Sequence, residues 1–244
     1  NLQWNNVTIK YVIAGLVNGG SIVTTYWFFM PLYAAYLAIP LFSAVEKEKR
    51  KSVYVYISVV GFLLNVLIPF AAKFTDWVPY NPGFRLFVNM SYLFYVVVGW
   101  LLHTQEIKRK DRIVIYILAI LGLFTNMIGT YFLSMRDGTV NKTFNGYNDV
   151  PCILYAIGVF VLIKQIAPKI MDVKWIRAIV VYLNKYTFGV YLLHWSVLKA
   201  VIRLTRVNEV SLIWRLLSPI GIVAVCVAII WVIRKIPVLK HVVP

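Results

Sequence analysis

Long apolar runs separated by short polar connections fill most of the chain. A helix crossing a hydrocarbon core of about 30 Å needs about 20 apolar residues at its 1.5 Å rise. Runs near that length cover residues 27–45, 53–71, 86–102, 113–133, 152–166, 186–201 and 212–232. The fifth is short and needs a residue or two more at each end. None shows the strict two-residue alternation of a half-buried strand. Residues 11–18 are apolar but too short to span, and they lead into Asn18-Gly19-Gly20, a turn signal, so an interfacial or re-entrant piece is predicted there. The pattern predicts an all-α, polytopic transmembrane helix bundle of about seven spans, in one domain over residues 1–244. There is no internal repeat or low-complexity tract.

The connections add an orientation. Clusters at 47–51, 108–112, 164–185 and 234–240 hold sixteen of the 25 Lys and Arg residues, all on one side of the predicted bundle. Because Lys and Arg are retained on the cytoplasmic side, that side is predicted to be cytoplasmic, with the N-terminus outside and the C-terminus inside. Trp4, Tyr26, Trp27, Trp77 and Tyr80 fall near the outer boundary and Trp175 near the inner one, where amphipathic rings concentrate.

Composition agrees with the pattern. Hydrophobic residues make up 61% of the chain and charged residues 14%, too few to cover a soluble domain of this size. The net charge of +16 would suit nucleic acid, but the cations sit in juxtamembrane clusters and form no single basic face, so no nucleic-acid partner is expected. The two cysteines, Cys152 and Cys226, are read as inert core thiols. Asn1 is not a start methionine, and residues 1–10 lack the features of a signal peptide. The expectation is therefore either processing or an incomplete start.

All nine acidic residues fall in the connections. Ion-coupled transporters usually need an intramembrane carboxylate or a broken helix, so this absence argues against them. Intramembrane polarity is most concentrated in the sixth run, where Thr187, Tyr191 and His194 stand at i, i+4 and i+7 and share one helical face. Two readings stay open for His194: an imidazole pinned by Tyr or a neighbouring carbonyl for packing, or a contact to substrate or cofactor. Lys199, Arg203 and Arg206, with Arg85 and Lys73, form either an anion- or sugar-facing rim or a set of snorkelling anchors. No phosphate loop, nucleophile elbow or metal motif occurs.

Several segments carry a resemblance. Asn184-Lys185-Tyr186-Thr187-Phe188-Gly189-Val190-Tyr191-Leu192-Leu193-His194 resembles the Ser-Tyr-Gly-Ile-Tyr-Leu-Leu-His type penultimate helix of acyltransferase family 3, the bacterial sugar and cell-wall O-acyltransferases. The stretch from Tyr26-Trp27-Phe28-Phe29 to Pro40-Leu41 is similar to that family's His-Leu-Trp-Phe-Leu helix, and Tyr92 to Trp100 to its Tyr-Phe-x-x-Gly-Tyr helix. The ordered set covers nearly the whole chain.

The resemblance implies an integral membrane O-acyltransferase that moves an acyl group, acetyl above all, from acyl-CoA to a hydroxyl of a glycan or lipid-linked sugar, without a metal. It places His194, Tyr191, Thr187, Trp27 and Arg85 along the substrate path and makes membrane lipid a partner. The family plan is ten spans with both termini cytoplasmic, so seven spans with an outside N-terminus match its last seven. Tyr26 stands where the family often has His. The family's proposed catalytic His and Arg, on its first helix, have no counterpart here, nor has its basic motif near the third helix. The chain is thus expected to be the C-terminal two-thirds of such an enzyme, inactive alone. The alternative is a polysaccharide exporter or small-molecule transporter.

Overall fold

The computed structural model describes residues 27–75, 81, 83, 86 and 92–236. Among these every regular element is helical. Helix α1 is Phe29–Ser43, α2 is Lys47–Ala71, α3 is Tyr92–Thr104 and α4 is Arg109–Asp137. Then follow α5, Val150–Met171, α6, Lys174–Asn184, α7, Thr187–Thr205, and α8, Leu212–Ile233. The predicted segment 11–18, the aromatic anchors Trp4, Tyr26, Trp77 and Tyr80, and Arg85 lie outside the described residues.

A helix stands at each of the seven predicted places, but among the described residues the number fit to cross a membrane is smaller. By length and composition α2, α4, α5 and α8 qualify. Helices α1 and α3 are apolar yet have 15 and 13 residues. Helix α7 has 19 residues, but Thr187, His194, Lys199 and Arg203 dilute its apolar content. Helix α6 has no place in the sequence prediction, which took that stretch for a basic connection.

The four qualifying helices make this a membrane-embedded bundle, and their surfaces fit lipid. In α4 Ile117, Leu118, Ile120 and Leu123 are exposed on different sides, and Gly122 alone is buried. A helix apolar all round needs an apolar solvent. Gly138, at φ +65°, closes α4 in the left-handed conformation glycine adopts without penalty.

The chain forms two compact units, Trp27–Ala167 and Pro168–Pro244, apart from residues 1–26. In the first, Val66 of α2, Phe94 of α3 and Ile153 of α5 form one buried cluster, and Tyr54, Ile57 and Val97 a second. Helices α4 and α5 meet through small residues, as membrane helices do. A Cβ on Gly122 would lie 2.8 Å from the Pro151 carbonyl oxygen, and one on Gly158 would collide with Ala119. In the second unit α7 packs on α8 through Val197, Ile222, Cys226 and Ile230, with Tyr186 buried at one end.

Basic residues next to the spans close helix ends. A helix C-terminus presents carbonyls without partners and a partial negative charge. At the end of α1, Arg50 donates from Nη2 to the carbonyls of Ser43 and Val45, both at 2.9 Å. At the end of α3, Lys164 Nζ donates to Leu102, His103 and Gln105 at 2.7, 2.8 and 2.9 Å. Within α2, residues Leu63–Leu67 form a π-helical turn. Its Asn65 grips the backbone of Leu86, donating to the carbonyl at 2.9 Å and accepting from the N–H at 3.0 Å.

Candidate functional site

Three neighbourhoods combine polar groups with accessible space or aromatic faces. The first, in the unit Trp27–Ala167, begins at Trp27, just before α1. Its ring stacks on Tyr147 at 5.3 Å between centroids and lies 5.6 Å from Tyr92 at the start of α3. Tyr95, one turn further along α3, donates its hydroxyl to the Tyr147 carbonyl. Trp27 is 39% exposed and Tyr147 60% exposed, so this platform presents aromatic faces with polar tips.

Polar groups hold the chain around Tyr147. Asp149 is buried and pairs with Lys73 Nζ at 2.6 Å, while its other oxygen accepts the Gly146 N–H at 2.9 Å. Both carboxylate oxygens are satisfied, as burial of a charge requires. Asn126, in the middle of α4, donates to the Phe144 carbonyl at 2.7 Å and fixes the same loop to the helix. Lys73, grouped by sequence with a possible outer rim, is committed to this pair.

The second neighbourhood is the polar face of α7. His194 Nδ1 lies 2.6 Å from the Tyr191 carbonyl and 3.2 Å from that of Val190. A carbonyl only accepts, so Nδ1 carries the proton, and in the neutral imidazole Nε2 is the acceptor. Among the described residues nothing pairs with Nε2. The rings of His194 and Tyr191 are 5.9 Å apart, as the predicted shared face requires. Thr187, the first residue of α7, is exposed and turns its hydroxyl back to the Asn184 carbonyl at 2.9 Å. Beyond them Lys199 stands over Trp195, its Nζ 4.9 Å from the ring centroid.

The third is a pocket of about 220 Å³ between α1, α2 and α3. Ile39, Phe42, Tyr54, Val97 and Trp100 line it, with Arg50 and Ser43 supplying its polar edge. The Tyr54 hydroxyl, donated to the Phe42 carbonyl at 2.8 Å, and the Tyr54–Trp100 edge contact at 4.8 Å hold its wall.

A family model described as an acyltransferase domain matches residues 2–234. The chain belongs to acyltransferase family 3. No curated protein and no solved structure matches it.

Of the residues singled out for this acyltransferase, Tyr191 and His194 come together and Thr187 stands a turn below them, in the unit that begins at Pro168. Trp27 belongs to the other unit, where its partners are Tyr92 and Tyr147. Among the described residues no group of three His, Cys, Asp or Glu could hold a metal ion. Cys152 and Cys226 are both free and buried.

The acyltransferase also carries polar fixtures that sequence reasoning passed over. Asn65 and Asn126 were legible as lone amides inside apolar runs, where an amide demands a partner. The pairing of Lys73 with Asp149 left no such trace, being 76 residues apart.

Proposed function

We propose that this membrane acyltransferase transfers an acyl group, acetyl in the simplest case, from acyl-CoA to a hydroxyl of a glycan or lipid-linked sugar. The family match over residues 2–234 carries this reading. In the reaction the acceptor hydroxyl attacks the thioester carbonyl and a base takes its proton. The C–O bond forms, the C–S bond breaks, and the CoA thiolate is released and takes up a proton.

In this reading the basic side faces the cytoplasm and the donor approaches from there. The pocket beside Arg50 then offers an apolar berth for the acyl end of the donor, with a cation at its edge. On the other side the faces of Trp27 and Tyr147 provide a surface for a sugar ring. His194 would accept a hydrogen bond from a substrate hydroxyl through Nε2, its tautomer held by the Tyr191 carbonyl. The role is one of positioning, and the catalytic base is not assigned to a described residue. Arg85 and Thr187 remain candidates for substrate contact.

The test uses His194→Ala and Trp27→Ala, each expressed from the native reading frame in cells lacking the endogenous copy. Transfer of radiolabelled acetyl to cell-surface glycan is compared at equal membrane abundance. Loss of about tenfold or more in either variant is expected. Full transfer by both, or glycan exported without any acyl group in the unmodified strain, would sink the reading and favour an exporter.

A further inference from the structure

The unit that begins at Pro168 carries an apolar groove with a cationic end. It has a volume of about 550 Å³ and runs between α6 and α8, with Tyr182 and Leu183 on one side and Ile220, Val223, Val227 and Trp231 on the other. Two alanines four residues apart, Ala224 and Ala228, form its floor, and their small side chains leave the space open. From Ile220 to Trp231 the helix rises about 16 Å. That is about one leaflet of a hydrocarbon core of about 30 Å.

The cations stand at the C-terminal end of α8. Lys235 Nζ is 3.5 Å from the Trp231 ring centroid, and Lys185 Nζ is 4.0 Å from that of Tyr182. Arg234 donates to the Lys185 carbonyl at 2.9 Å and lies 5.0 Å from the Tyr186 ring, which Lys185 Nζ also approaches at 5.2 Å. Among the described residues neither Lys185 nor Lys235 has a carboxylate partner. Helix α6 marks the same level as interfacial. Its apolar side chains Trp175, Ile179 and Leu183 fall along one side and are exposed, while Lys174, Arg177 and Asn184 fall opposite.

We infer that this groove seats one phospholipid with an anionic headgroup, its acyl chain along α8 and its phosphate against Lys185, Lys235 and Arg234. Length, apolar lining and charge each match that occupant. Zwitterionic lipid fits the groove but satisfies the cations less well, so the site selects by headgroup charge. The assignment is independent of the transferase reading.

The test exchanges the purified full chain into nanodiscs of equal dioleoyl phosphatidylglycerol and dioleoyl phosphatidylcholine and counts retained lipid by native mass spectrometry. Retention of phosphatidylglycerol over phosphatidylcholine is expected, falling about fivefold for each of K185Q and K235Q. Ala224→Phe, which fills the groove, should remove both lipids. Should that variant not fold, the two Lys variants, which leave the groove intact, decide. Equal retention of the two lipids, or phosphatidylglycerol held as well by the double Lys variant, overturns the proposal. So does displacement of phosphatidylglycerol by equimolar palmitoyl-CoA, which would make the groove a thioester site.

Discussion

Two groups of cations that look alike in the sequence do different things in the folded chain. Lys164 lies against the end of α3 with its three ammonium donors on backbone carbonyls. Arg50 lies against the end of α1 with Nε and Nη2 on the carbonyls of Ser43 and Val45. Lys185 and Lys235 stand over the rings of Tyr182 and Trp231, facing outward. Both groups fall in the basic clusters that flank the apolar runs, so a count of loop charges registers them equally. The first group holds helices in place. The second is available to something that arrives. Tests that substitute one residue of each group separate the two roles.

The largest effect is expected at Lys164. Replacing it with Met keeps the stem but leaves three carbonyls without their charged donor. A loss of about 2–3 kcal/mol is expected, read as a lower melting temperature of the detergent-solubilised protein. Next comes Arg50→Lys. The substitution removes the Nε bond to the Val45 carbonyl at 3.3 Å and the planar group that aims Nη2 at both carbonyls, so a loss of about 1–2 kcal/mol is expected. The smallest effect belongs to Lys185→Gln and Lys235→Gln, which should change stability by less than about 0.5 kcal/mol while altering lipid retention. An inverted order of melting temperatures would show that the division into structural and available cations is mistaken.

Much of the fold was legible because a membrane simplifies the reading. Each apolar run had to satisfy its backbone internally, so each became a helix where the run predicted one. The exception, α6, escaped because its Lys and Arg residues were weighed as juxtamembrane charge and their periodicity was not. Trp175, Ile179 and Leu183 recur at helical spacing through that stretch. Among the described residues fewer helices qualify as spans than the seven runs predicted. The sixth run already held His194 and Lys199, and the helix that forms there extends past it through Arg203, so its apolar content is diluted.

The candidate site was legible in part. Spacing along one helix placed Tyr191 beside His194, because local geometry fixes neighbours at i and i+3. The proton on Nδ1 follows from the carbonyls of Val190 and Tyr191, which any helix would present there. By contrast, Trp27 finds Tyr147 120 positions further along the chain, and no local rule links the two. Long-range contacts of this kind are set by how helices settle against each other.

The π turn in α2 has a consequence for how this helix tolerates change. Each residue of an ordinary helix turns the backbone by roughly 100°. The wider turn at Leu63–Leu67 therefore acts as one surplus residue, and everything from Ile68 onward is phased to it. Deleting a single amino acid inside that turn would restore even winding and keep the downstream face aligned, provided Asn65 survives to hold Leu86. The same deletion one turn earlier would swing Lys73 away from Asp149. Natural length variation in this helix should accordingly concentrate in those five positions.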